Sequence, residues 1–349
     1  MQMTTLITRL TVFFSCALLL TGSAIAANHN VGFKRVQLDD PMNGSVGGSM
    51  QVSLWYPTNE VTGTLQLGPF SFVAKRNASV APGERKLVVL SHGTGGSDLG
   101  HRNIAIELAK KGLIAAAPLH PRNNFRDDSG AGSSSVMEGR PRQVSAIIDQ
   151  LISETLPEFN IASRHVGGFG FSLGGYTMLS VMGARPEMSL IWKSCQSYSR
   201  DPVCHVVRRI DPSRLTVGGN TDFSDNRLCA AVVLDPLASS FSDENLTHIQ
   251  TKFVQLWKPE IENVLLAKAH IDRVSETLNN MPSRAPVEMI TVANAQHYSF
   301  IAPFPKVIEG EIPKELTEDH PDFDRALFQE EFAERVSSFL ADSLSNCEN

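Results

Sequence analysis

Gly170-Phe171-Ser172-Leu173-Gly174, extended by Gly175, sets one serine between closely spaced glycines. A serine hydroxyl is a weak nucleophile until a base takes its proton, and it must stand clear of its own backbone to reach a carbonyl carbon. A sharp strand-to-helix turn gives that exposure, and flanking glycines remove the side chains that would collide there. The helix that follows aims backbone N–H groups at developing negative charge. The pattern points to acyl transfer through Ser172, with the N–H of Leu173 as one oxyanion donor. Ser91-His92-Gly93-Thr94-Gly95-Gly96 follows an apolar run at 87–90. A His-Gly turn at such a place supplies the second donor, here the N–H of Thr94. His92 reads as structural within that turn. A phosphate loop is excluded, because the Gly-Lys-Ser/Thr ending and the G-x-G-x-x-G order are both missing.

The base is expected later in the chain. His297 stands in Ala295-Gln296-His297-Tyr298-Ser299-Phe300, just past an apolar strand at 287–292. Loops after strand C-termini are where α/β sheets carry functional side chains. An acid must hold the imidazole in one tautomer and stabilise the imidazolium. Asp235 directly follows the apolar run 231–234, and Glu260 lies three residues past the next strand. Either preserves the order serine, acid, histidine. Asp235 is favoured because it abuts its strand; Glu260 is the alternative. This chemistry needs no metal and no organic cofactor.

These residues must be positioned by strands and helices. Short apolar runs at 87–90, 113–117, 166–171, 230–234, 253–257 and 287–292 read as strands buried on both faces. Residues 31–57 read as an N-terminal β region. Between the strands, 103–111, 140–156, 176–182 and 263–278 read as helices, and an amphipathic helix closes the chain at 323–344. Val144, Ile147, Ile148, Leu151 and Ile152 make one apolar stripe at helical spacing. The alternation predicts an α/β fold with a mostly parallel, doubly wound sheet. Residues 186–228 lose periodicity and read as a cap-like insertion. Residues 122–128 read as a solvated loop, and Ser133-Ser134-Ser135 as part of a mobile, lid-like connection.

The chain has 349 residues, 31 basic and 37 acidic, for a formal charge of −6. That balance argues against a nucleic-acid partner. An apolar content of 42 % excludes a mainly disordered chain. Arg9, the apolar run 10–20 and Ala24-Ile25-Ala26 form a signal peptide over 1–26, too short to span a bilayer. The expected mature product is an exported protein, periplasmic or secreted, with one domain over 27–349. Cys16 leaves with the signal, so Cys195, Cys204, Cys229 and Cys347 remain. An even count in an exported chain suits two disulfides, and four cysteines allow three pairings. Cys195–Cys204, a short local loop, and Cys229–Cys347, a tie on the C-terminal tail, are favoured over free buried thiols.

With these pieces in hand, the chain resembles the α/β-hydrolases, and within them the platelet-activating-factor acetylhydrolase-like and predicted dienelactone hydrolase group. The resemblance rests on Ser91-His92-Gly93, Gly170 to Gly175, Leu234-Asp235, Gln296-His297-Tyr298-Ser299-Phe300 and the strand Leu54-Trp55-Tyr56-Pro57. It implies an acid one strand earlier than usual, which fits Asp235. Dienelactone hydrolases carry a cysteine where Ser172 stands, so the resemblance implies a serine esterase acting on small-molecule esters. An amidase or peptidase on the same residues, or a non-catalytic binding protein on the same scaffold, are the competing readings.

Overall fold

The computed structural model describes residues 29–42, 48–153, 156–197, 204, 217–261, 268–282 and 285–347. The expected signal peptide at 1–26 and part of the insertion at 186–228 lie outside the described residues. Among the described residues, ten strands form one sheet in the order β10-β9-β8-β7-β5-β6-β2-β1-β4-β3. Six of these form one continuous parallel block: β6 (Ile114–Pro118), β5 (Leu87–Ser91), β7 (Val166–Phe171), β8 (Leu228–Leu234), β9 (Phe253–Pro259) and β10 (Glu288–Val292). β2 (Ser49–Thr58) lies antiparallel to both β6 and β1 (Asn30–Asp39). β3 (Gly63–Leu67) and β4 (Phe70–Arg76) add a hairpin at the far edge.

The continuous apolar strands are explained by two covered faces. Leu87 and Val89 of β5 join one core cluster while Val88 and Leu90 join the other. β8 divides likewise, with Ala231 and Val233 on the first face and Ala230, Val232 and Leu234 on the second. The first face is packed by α2 (Ser134–Ile152), α3 (Leu173–Val181) and α6 (Lys268–Asn279) through Val144, Ile147, Leu179 and Val274. The second is packed by α1 (Arg102–Lys110) and the C-terminal α8 (Arg325–Ser345) through Ile104, Leu108, Val336 and Leu340. Shorter helices α4 (Ser189–Ser197), α5 (Asp243–Leu246) and α7 (Lys314–Thr317) lie in connections.

Three local expectations differ from the structure. The helix expected at 140–156 begins earlier, at Ser134, because the Ser133 side chain caps it by accepting from the Val136 N–H. Ser133, Ser134 and Ser135 are therefore the cap and first turn of α2. The β3–β4 hairpin escapes a periodicity reading, because its residues lie at the solvent edge and leave Val73 61 % exposed. In the 122–128 loop, Arg126, Asp127 and Asp128 face solvent as expected, but Asn123 and Asn124 are buried.

Both favoured cystine pairs are present. Cys195 of α4 bonds Cys204 with a Cα separation of 5.5 Å. Cys229 of β8 bonds Cys347, just past α8, with a Cα separation of 6.3 Å. Among the described residues, no helix is long and apolar enough to cross a membrane.

Candidate active site

The parallel strands end level with one another. Phe171 pairs with Leu234, and Leu234 with Trp257, so the residues after β7 and β8 emerge at one edge. Ser172 is the first of them and the N-cap of α3. Its backbone sits at φ 56°, ψ −116°, a conformation that a side chain makes costly and that persists only when its surroundings enforce it. The enforcing contacts are the Ser172 N–H on the Leu234 carbonyl at 2.9 Å and the Leu237 N–H on the Ser172 carbonyl at 3.1 Å. Gly174 is required by close approach, since a Cβ there would run into the Ser91 carbonyl oxygen. Gly170 packs as tightly against the Gly174 carbonyl.

Asp235 follows β8 with a left-handed backbone, φ 34°, and its N–H donates to the Trp257 carbonyl at 2.8 Å. Two strained non-glycine residues thus stand side by side at the sheet edge. The Asp235 Oδ2 lies 2.6 Å from Nδ1 of His297, and both side chains are buried. The structure therefore brings Asp235 to the imidazole. Glu260 turns elsewhere and accepts from the Asn294 N–H at 2.8 Å.

His297 opens a short 3-10 turn, His297–Phe300, fixed by a reciprocal cap between Gln296 and Ser299. Ser299 Oγ also donates to Asp319 at 2.7 Å, and Gln329 donates to the Ser299 carbonyl at 2.8 Å. Asp319 is held in turn by Arg325. The imidazole packs on the Phe171 ring at 4.6 Å, next to the nucleophile candidate in sequence.

The Ser91-to-Gly96 turn stands against the same edge. A Cβ on Gly93 would fall 3.3 Å from Ser172 Cβ, so this backbone passes directly beside the serine. Thr94 is exposed at the tip of the turn. Among the described residues, no carbonyl or side chain accepts from the N–H of Thr94 or of Leu173. His92 lies buried beneath the turn; burial and the Arg140 charge push its pKa well below the usual histidine range. His120 is lowered for the same reasons, burial first. Its ring bridges Ser91 Oγ at 2.9 Å and Gln143 Oε1 at 2.8 Å. Among the described residues no group of three or more His, Cys, Asp or Glu side chains could hold a metal ion.

The sequence reading missed Arg140, Gln143 and Asp319, all of which support this edge. The signal for Arg140 was present: it falls four residues before Val144 and seven before Ile147, on the apolar stripe of α2. A cation on a buried stripe needs a reason.

No family model matches the sequence, and no curated protein matches it. Among solved structures, a ferulic acid esterase from Streptomyces cinnamoneus is similar, with a TM-score of 0.61 and 18 % identity over 93 % of each chain. The architecture is the α/β-hydrolase fold.

Proposed function

We propose that this chain is an exported serine hydrolase that cleaves carboxylic esters of small molecules. The observation that carries the reading is the buried Asp235–His297 hydrogen bond at the same sheet edge as Ser172, with the imidazole on the Phe171 ring and the serine backbone held in a strained elbow. Ser172 Oγ attacks the ester carbonyl carbon while its proton passes to His297 Nε2. The N–H groups of Thr94 and Leu173 receive the charge that develops on the carbonyl oxygen. The C–O bond to the alcohol breaks as the imidazolium returns its proton to the leaving oxygen. Water then attacks the acyl-serine, gives a proton to His297, and releases the acid with Ser172 restored. Asp235 keeps the Nδ1 hydrogen in place throughout.

The similar solved structure is an esterase by description, which agrees with ester rather than amide cleavage. Export is supported by the signal-like segment at 1–26 and by two disulfides, bonds that persist in oxidising compartments. Short p-nitrophenyl esters assayed against peptide amides test the proposal. The expected result is ester turnover that falls by about a million-fold or to background in Ser172→Ala, with the thermal midpoint retained. Unchanged turnover in that variant overturns it.

A further inference from the structure

Arg140 is 1 % exposed. Among the described residues no carboxylate lies within ion-pair distance of it. Its partners lie in the Ser91-to-Gly96 turn: Nη1 donates to the His92 carbonyl at 2.7 Å and Nη2 to the Gly93 carbonyl at 3.2 Å, with Nη2 also 3.1 Å from His92 Nδ1. A third contact reaches the Asn123 carbonyl at 3.5 Å. Burial lowers its pKa to about 9, an effect that Asp128 opposes, so it remains a cation at neutral pH. A buried charge with no carboxylate in direct contact is costly.

The Gly93 carbonyl and the Thr94 N–H belong to one peptide unit. That unit is planar and trans, so the N–H points opposite to the carbonyl. Three donors converge on the carbonyl. Besides Arg140, the Gly96 N–H lies at 3.1 Å. His92 supplies the third: its Nε2 accepts from the His120 N–H at 3.3 Å, which leaves Nδ1 protonated and donating to Gly93 at 2.7 Å. Holding the carbonyl from behind fixes the direction of the N–H in front, and the positive charge polarises the peptide toward a stronger donor.

We infer that Arg140 is a positioning residue for the oxyanion site, and that its charge, which Asp128 offsets only from beyond ion-pair distance at rest, is met by the oxyanion formed during acyl transfer. This rests on the esterase reading above. The arrangement is costly in the ground state and favourable only when negative charge appears, which is the difference that speeds a chemical step.

The test compares Arg140→Gln and Arg140→Lys with the parent protein, using a short p-nitrophenyl ester and a boronic acid that forms a tetrahedral anion on serine. The expected result for Arg140→Gln is a fall in kcat of about 10- to 100-fold, with KM within about twofold and a parallel loss of boronate affinity. Arg140→Lys keeps the charge but cannot fork onto two carbonyls, and it is expected to fall between. If Arg140→Gln does not fold, the lysine variant is read alone. An unchanged kcat in a folded variant, or a loss confined to KM, overturns the inference while leaving the esterase reading intact. If the parent protein hydrolyses no ester and is not inhibited by the boronate, the esterase reading fails and this inference falls with it.

Discussion

At the scale of single residues, the site is defined by what strain and burial accomplish. Ser172 and Asp235 both occupy left-handed backbone that only fixed surroundings maintain. The Asp235–His297 bond sets the imidazole tautomer, which leaves Nε2 for the role of base in the proposed mechanism. Asp235→Asn is expected to cut ester turnover by about four orders of magnitude, because an amide cannot hold the same tautomer or stabilise the imidazolium. Glu260→Gln, which changes a residue bonded to Asn294, is expected to leave kcat within about twofold. Measuring both variants on one ester separates the two candidate acids, and a reversed ranking would contradict the assignment.

Much of this was legible in the sequence for physical reasons. The serine elbow needs glycines at fixed offsets, and the strand before it must be apolar because helices cover both faces. The cysteines pointed to their pairs through count and position. The buried support was not legible. Arg140, His120 and Gln143 meet only when the β5 turn, β6 and α2 are assembled, and Asp319 reaches Ser299 from a separate connection. The early start of α2 was hidden by Gly139 and Pro141, residues that disfavour a helix locally but are tolerated here within a packed element. Asp235 is favoured over Glu260 in the sequence because it abuts its strand, and the structure sets it against His297 while Glu260 bonds Asn294.

At the scale of elements, the elbow depends on β5, β7 and α3 approaching closer than any side chain allows. Gly174→Ala drives a methyl into the Ser91 carbonyl, which is backbone and has no rotamer to yield. The expected outcome is a loss of about 3 kcal/mol or more of stability, or failure to accumulate as soluble protein. A chemical-denaturation midpoint equal to the parent protein would show that the elbow is looser than described. The Cys229–Cys347 bond fastens the end of α8 to β8 across 118 residues of sequence. Closing so long a loop restricts the unfolded chain by roughly 2–5 kcal/mol. Replacing both cysteines with alanine is expected to lower the thermal midpoint markedly while leaving kcat unchanged, since neither residue touches the site edge. A loss of kcat at a temperature well below the new midpoint would contradict that separation.

At the scale of the whole molecule, stability is tied to pH through histidines buried in the neutral form. Burial lowers His101 to about 3, and lowers His92 and His120 as well. In the unfolded chain these groups return to the ordinary value near 6.5. Their contribution is therefore complete above pH 6.5 and is lost as pH falls, because the unfolded chain binds protons that the native state refuses. Each such histidine steepens the fall by about 1.4 kcal/mol per pH unit. His101→Gln is expected to flatten the dependence of unfolding free energy by about one proton between pH 6 and 4.5. An identical slope would remove His101 from the account.

The central claim is that the Ser172 hydroxyl becomes a nucleophile at this sheet edge. Incubation of the purified chain with a fluorophosphonate, followed by peptide mass spectrometry, tests it most directly. One covalent adduct is expected on Ser172, lost in Ser172→Ala and greatly slowed in His297→Gln. An unmodified Ser172, or an adduct formed equally well without His297, would contradict it.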